Sequence, residues 1–97
     1  MTKRTIDPEG LARLIDIVDR GLGELPPIDT ARFETFDRRD RAASVLIDRL
    51  CDGHGARRSG NRITLGGITA SSCQSTEGIL RNWRAAAHKR TDREDEA

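Results

Sequence analysis

Residues 54–70, HGARRSGNRITLGGITA, decide what kind of fold this chain can adopt, because they interrupt a sequence that is otherwise patterned for helices. Four glycines punctuate the stretch and predict loops or hairpin tips. Between them, residues 62–65 (RITL) alternate polar and apolar side chains and include β-branched residues, which is typical of a short strand. We therefore expect one small β-hairpin or an irregular extended segment here, and no full sheet.

Two helices are predicted on the N-terminal side of this segment. Asp7, followed by a proline, is a strong helix start, because Asp accepts free amide hydrogens and Pro loses no hydrogen bond at the first helical position. Apolar residues then recur every three or four positions until Gly23 stops the pattern. A second helix should be capped by Asp29 or Thr30 and end at Gly53.

The apolar stripe of the second helix has a gap. It includes Phe33, Phe36 and Ala43, but Asp40 stands where the spacing of three and four calls for an apolar residue. A kink or break near Asp37 would account for the gap, and so would a charged helix face in contact with water.

A third helix is predicted after the glycine-rich segment. Ser71 and Gln74 have the spacing of a capping box, and Trp83 lies on the apolar face of the helix that follows, which should fray near Thr91. The expected fold is therefore mainly α, a small three-helix domain with a minor β-hairpin or extended segment between helices 2 and 3.

The length of 97 residues suits one hydrophobic core. We assign residues 1–90 to a single small helical domain and residues 91–97 to an acidic disordered tail, because that tail is polar and lacks periodicity. Only 3% of the residues are aromatic, so the core must come mostly from Leu, Ile, Val and Ala. Such a thin core would suit a homodimer, but the apolar stripes are as easily buried within one monomer.

The net charge of +1 hides an uneven distribution. Residues 1–55 contain nine basic and eleven acidic side chains, whereas residues 56–90 contain seven basic side chains and one acidic one. Residues 91–97 reverse the sign, with one basic and four acidic side chains. Positive charge is therefore concentrated in residues 56–90, which comprise most of the glycine-rich stretch and the third helix.

Clustered positive charge predicts binding to phosphate, because Lys and Arg dominate the affinity of proteins for nucleic acid. We predict a non-enzymatic protein that contacts nucleic acid, DNA foremost, through the basic loop and the C-terminal helix. The alternative is that the arginines pair with acids of the first two helices. The sequence lacks the tight turn between helices that a helix-turn-helix motif requires, so we do not predict that DNA-binding motif. The candidate binding residues are Arg57, Arg58, Arg62, Arg81, Asn82, Arg84 and Lys89.

A second functional hypothesis fits the composition equally well. The chain could be a small phage or mobile-element interaction protein, an inhibitor or adaptor of the anti-CRISPR type, that docks on a larger protein or nucleoprotein complex. Salt distinguishes the two, because phosphate binding falls steeply with ionic strength whereas docking through Phe, Leu and Trp anchors survives it.

Other classes of function are disfavoured by the residues. No acid, base and nucleophile set is recognisable, so we predict no enzyme and no cofactor. Cys51 and His54 have chelating spacing, but Cys73 and His88 are too far apart on one helix to complete a zinc site. The chain lacks a run of ~20 apolar residues and an apolar signal core, which predicts a cytoplasmic protein with reduced thiols and no membrane partner.

Overall fold

A computed structural model describes the backbone of residues 8–96 and the side chains of residues 9–91. The elements are α1 (Pro8–Gly23), α2 (Phe33–His54), β1 (Arg57–Ser59), β2 (Arg62–Leu65), β3 (Ile68–Ser71) and α3 (Thr76–Glu96). The predicted mainly helical fold with a β segment between the second and third helices is confirmed. The predicted single hairpin has too few strands, because three strands form an antiparallel sheet in the order β1-β2-β3.

Two tight turns build this sheet. Ser59 pairs with Arg62 across the first turn, and Leu65 pairs with Ile68 across the second. The second turn consists of two glycines with φ angles of 61° and 79°, as a type I′ hairpin requires. The four glycines predict loops or hairpin tips, and this pair forms a second hairpin tip, which adds the third strand.

The hydrophobic core lies between the helices and one face of the sheet. α3 is central, since it packs against α1, α2, β2 and β3. Trp83 of α3 is completely buried and donates its indole N–H to the carbonyl oxygen of Leu65 at 2.9 Å. The core consists mostly of Leu, Ile, Val and Ala, as predicted, and Leu46 is partly buried against it. The fully enclosed side chains include Val18, Ile47, Leu50, Ile63, Leu65, Ile79 and Leu80.

The helix starts differ from the predicted caps. α2 begins after Arg32, which makes no side-chain cap, so neither Asp29 nor Thr30 is its N-cap. α3 begins at Thr76, and Ser75 accepts a hydrogen bond from the backbone N–H three residues later. The predicted capping box of Ser71 with Gln74 is therefore wrong, because Ser71 belongs to β3. The cap proposed for α1 at Asp7 lies outside the described residues.

The helix ends also shift. α2 continues to His54 and closes on Gly55, whose φ of 77° is the left-handed conformation that favours glycine at this position. α2 is continuous through the charged stretch around Asp40, so no break occurs there. The backbone of α3 stays helical to Glu96, past the predicted end near Thr91. The division of the chain at residue 90 stays a prediction.

Candidate nucleic-acid interface

The outer face of the sheet carries two of the predicted basic residues. Residues that pair directly across antiparallel strands project from the same face. Arg57 pairs with Thr64, which pairs with Thr69, and Arg62 pairs with residues of both neighbouring strands. The side chains of this outer sheet face are Arg57, Ser59, Arg62, Thr64, Thr69 and Ser71. All are polar, and all except the half-buried Thr64 are exposed.

Arg58 projects from the opposite face of the sheet. It pairs with the buried Ile63, so its side chain extends over the core side at the edge of the sheet. There it lines a cleft of about 640 Å³ and donates from Nε to the carbonyl oxygen of Gly60 at 3.1 Å. Successive side chains of a strand point to opposite faces, so Arg57 and Arg58 cannot act on one flat surface.

Three of the four predicted residues of α3 are engaged within the fold. The Nε of Arg81 donates to Glu77 at 2.6 Å, and Nη1 of Arg84 donates to Asp19 of α1 at 2.6 Å. The amide of Asn82 donates to the carbonyl oxygen of Ser71 at 2.8 Å. Arg81 and Arg84 are therefore partly neutralised by acids, and Asn82 fastens α3 to the end of β3.

These residues also lie on different sides of α3. Asn82 and Arg84 are two residues apart, which places them about 200° apart around the helix. Lys89 follows Asn82 by two turns and lies on the same side as Asn82. Lys89 is exposed and has no ion pair among residues 9–91. The predicted site is thus divided between the outer sheet face, the cleft and both sides of α3.

A partly buried ion-pair cluster connects α2 with α3. Arg39 donates to Glu77 through Nε at 2.6 Å and through Nη2 at 2.9 Å, and also to the carbonyl oxygen of Pro26 at 2.9 Å. The side chains of Arg39 and Glu77 are only 17% and 14% exposed. Hydrogen bonds from Arg39, together with those from Arg81, lower the pKa of Glu77 to about 2 despite its burial. No local pattern predicts this cluster, although Glu77 is the single acid of residues 56–90.

The cleft between α2 and the sheet does not offer a free helix N-terminus. Asp40 of α2 accepts hydrogen bonds from the backbone N–H and the hydroxyl of Thr76, at 2.9 and 3.2 Å. A carboxylate of the chain itself therefore occupies the place where a phosphate would bind at the start of α3. This contact with α3 explains why a polar residue, Asp40, stands in the apolar stripe of α2.

An exposed apolar patch lies beside the cleft at the start of α2. Phe33 is 87% exposed, and Phe36 and Ile28 are also exposed. Phe33 and Phe36 continue the stripe that contains the buried Ala43, but at the start of α2 these side chains are exposed. Two of the three aromatic side chains thus face solvent, although both belong to the apolar stripe of the helix.

Cys51 and Cys73 are free thiols. Within the part of the chain that the structure describes, no three His, Cys, Asp or Glu residues are grouped as metal ligands. No helix of the described residues has the length and apolar character needed to cross a membrane.

Comparison of the chain with protein-family models, curated proteins and solved structures found no significant match.

Proposed function

We propose that this protein binds nucleic acid through the outer sheet face, with Lys89 as an additional contact. The observation that carries this proposal is the charge of the sheet segment. Residues 55–76 contain three arginines and no Asp or Glu. Arg57 and Arg62 are exposed and make no ion pair with the side chains that the structure describes. Cations that are not already paired are the ones available to neutralise phosphates.

The role of α3 in this proposal is mainly to support the sheet. The ion pairs of Arg81 with Glu77 and of Arg84 with Asp19 would have to open before these arginines could contact phosphate. They therefore contribute less to the binding affinity than their charge suggests. The amide of Asn82 is already hydrogen-bonded to backbone. The C-terminal helix is therefore a weaker candidate than the sheet, and Lys89 is its best-placed contact. We place this activity in the cytoplasm as part of the same proposal.

Binding to nucleic acid is tested by fluorescence anisotropy with labelled DNA across a salt series. We expect affinity to fall as salt rises, and the double variant Arg57→Ala/Arg62→Ala to lose most of it. Arg38→Ala/Arg41→Ala is the matched control, because it removes the same charge from exposed positions of α2. Equal losses in the two double variants would show that net charge, and not the sheet, determines binding.

A second candidate function is docking on a protein, and the exposed Phe33 and Phe36 favour it. Aromatic side chains are enriched at the energetic centres of protein interfaces. In this case the chain acts as an inhibitor or adaptor, of the kind carried by phages and mobile elements, on a larger protein or nucleoprotein complex. A partner captured from lysate at high salt, and lost with Phe33→Ala/Phe36→Ala, would support this function. Unchanged capture by that variant would contradict it.

A further inference from the structure

We propose that the outer sheet face binds in the major groove of duplex DNA, an inference that rests on the nucleic-acid binding proposed above. The face is defined by its six outward side chains, which are Arg57, Ser59, Arg62, Thr64, Thr69 and Ser71. The width of this face indicates which groove it enters. Its side chains indicate which form of nucleic acid it binds and which residues contact the bases.

The chemistry of the face matches base edges as well as phosphates. Arginine can donate two hydrogen bonds to the O6 and N7 atoms of guanine, and Ser or Thr hydroxyls can bond to any base. The methyl groups of Thr64 and Thr69 suit contact with the methyl group of thymine. The two Thr hydroxyls lie 3.0 Å apart and are hydrogen-bonded to each other, which orders the centre of the face.

The width of the face selects the groove. Neighbouring strands are ~4.8 Å apart, so the axes of β1 and β3 are separated by roughly 10 Å. The major groove of B-DNA is about 12 Å wide and the minor groove about 6 Å wide. The whole sheet is therefore too wide for the minor groove. The major groove admits a two-stranded β-ribbon, and β1 with β2, which carry Arg57 and Arg62, form such a ribbon.

Single-stranded nucleic acid fits this face poorly. Binding of single strands depends on aromatic side chains that stack on the bases. The outer sheet face has no aromatic residue, because Trp83 is buried in the core and the two phenylalanines belong to α2. Duplex DNA, whose bases are read at their edges, is the form that these side chains can recognise.

The inner face of the sheet is fixed by contacts with the core and with α3. Ile63 and Leu65 of β2 are buried in the core, and the carbonyl oxygen of Leu65 accepts the hydrogen bond from Trp83. Asn82 holds the last residue of β3. Arg57 and Arg62 are therefore presented on a fixed backbone, which lowers the entropy lost on binding.

The test compares a labelled 20-base-pair duplex with its single strand, using the full chain at low salt. We expect at least tenfold tighter binding to the duplex. Methyl green, which occupies the major groove, should displace the protein, whereas distamycin, which occupies the minor groove, should not. Arg57→Ala and Arg62→Ala should each weaken binding by about fivefold or more. Arg38→Ala on α2 should weaken it by less than twofold.

The outcomes separate this inference from the function on which it rests. Tighter binding to the single strand, or displacement by distamycin alone, would overturn the major-groove assignment while leaving nucleic-acid binding intact. Duplex binding that both arginine variants retain would remove the outer sheet face as the contact. Absence of binding to either form at low salt would refute the proposed function itself. Trp83 fluorescence confirms that each variant is folded.

Discussion

Replacing Glu77 with glutamine should lower the free energy of unfolding at neutral pH by about 1–3 kcal/mol. The carboxylate accepts two hydrogen bonds from Arg39 and one from Arg81, and it joins α2 to α3. Glutamine keeps the size of the side chain but removes the charge. Arg39, only 17% exposed, would then lack its anionic partner.

The magnitude follows from the pKa of Glu77, which is lowered from 4.5 to about 2. One pKa unit corresponds to about 1.4 kcal/mol, which sets an upper bound of about 3 kcal/mol. Water screens part of this interaction, because the Arg81 side chain is 52% exposed. We therefore expect a loss nearer the middle of the range.

The sign of the pH dependence is also fixed. Because folding lowers the pKa of Glu77, its contribution is complete above the ordinary pKa of 4.5 and disappears as the pH falls towards 2. The difference between the native chain and Glu77→Gln should therefore shrink to less than half between pH 7 and pH 3. Urea unfolding at both pH values measures it, with the fluorescence of the single, buried Trp83 as the signal.

The control for this experiment is Glu34→Gln. Glu34 lies 3.9 Å from Arg32 and both side chains are exposed, so the change should be within about 0.5 kcal/mol. If Glu77→Gln were equally destabilising at pH 7 and pH 3, the charge of Glu77 would not be the source of its stabilisation. A loss no larger than that of Glu34→Gln would refute the ion-pair argument altogether.

Three further substitutions test other parts of the fold by chemical denaturation. Asp40→Ala removes the carboxylate that caps α3 and should cost about 1–2 kcal/mol, whereas Asp48→Ala, exposed on the same helix, should cost little. Gly67→Ala should cost about 1 kcal/mol, because residue 67 has a φ of 79°, while Gly23→Ala should be neutral since its site is open. Phe33→Ala should change stability by less than about 0.5 kcal/mol, because Phe33 is 87% exposed, and a larger loss would place it in the core.

Local features of the fold could be predicted from the sequence because they depend on neighbouring residues. The stripe of α1 and the alternation of β2 follow from side-chain periods of 3.6 and 2 residues, and the turns follow from the conformational freedom of glycine. The same rule would have separated Arg57 from Arg58 had residues 57–59 been recognised as a strand. The glycines on either side predict a loop instead, and a loop places both arginines in one site.

Long-range contacts could not be predicted, and they account for the remaining differences. Glu77 and Arg39 are 38 positions apart in the chain, and Thr76 and Asp40 are 36 apart. Nothing in the local pattern indicates which helix face will meet which partner. Asp40 therefore stood out only as a polar residue in an apolar stripe, although it satisfies the first amide of α3.

The positive charge of residues 56–90 is divided by this packing, and the division determines how steeply binding should depend on salt. Arg81 and Arg84 lie against helices that carry acids, whereas Arg57 and Arg62 face away from them. Each neutralised phosphate contributes a slope of about −0.9 to a plot of log affinity against log salt. Contacts from Arg57, Arg62 and Lys89 alone predict a slope of about −3, whereas all seven cations of the segment would give about −6. A measured slope near −6 would mean that the ion pairs of α3 open on binding, and that its arginines contact the DNA as well.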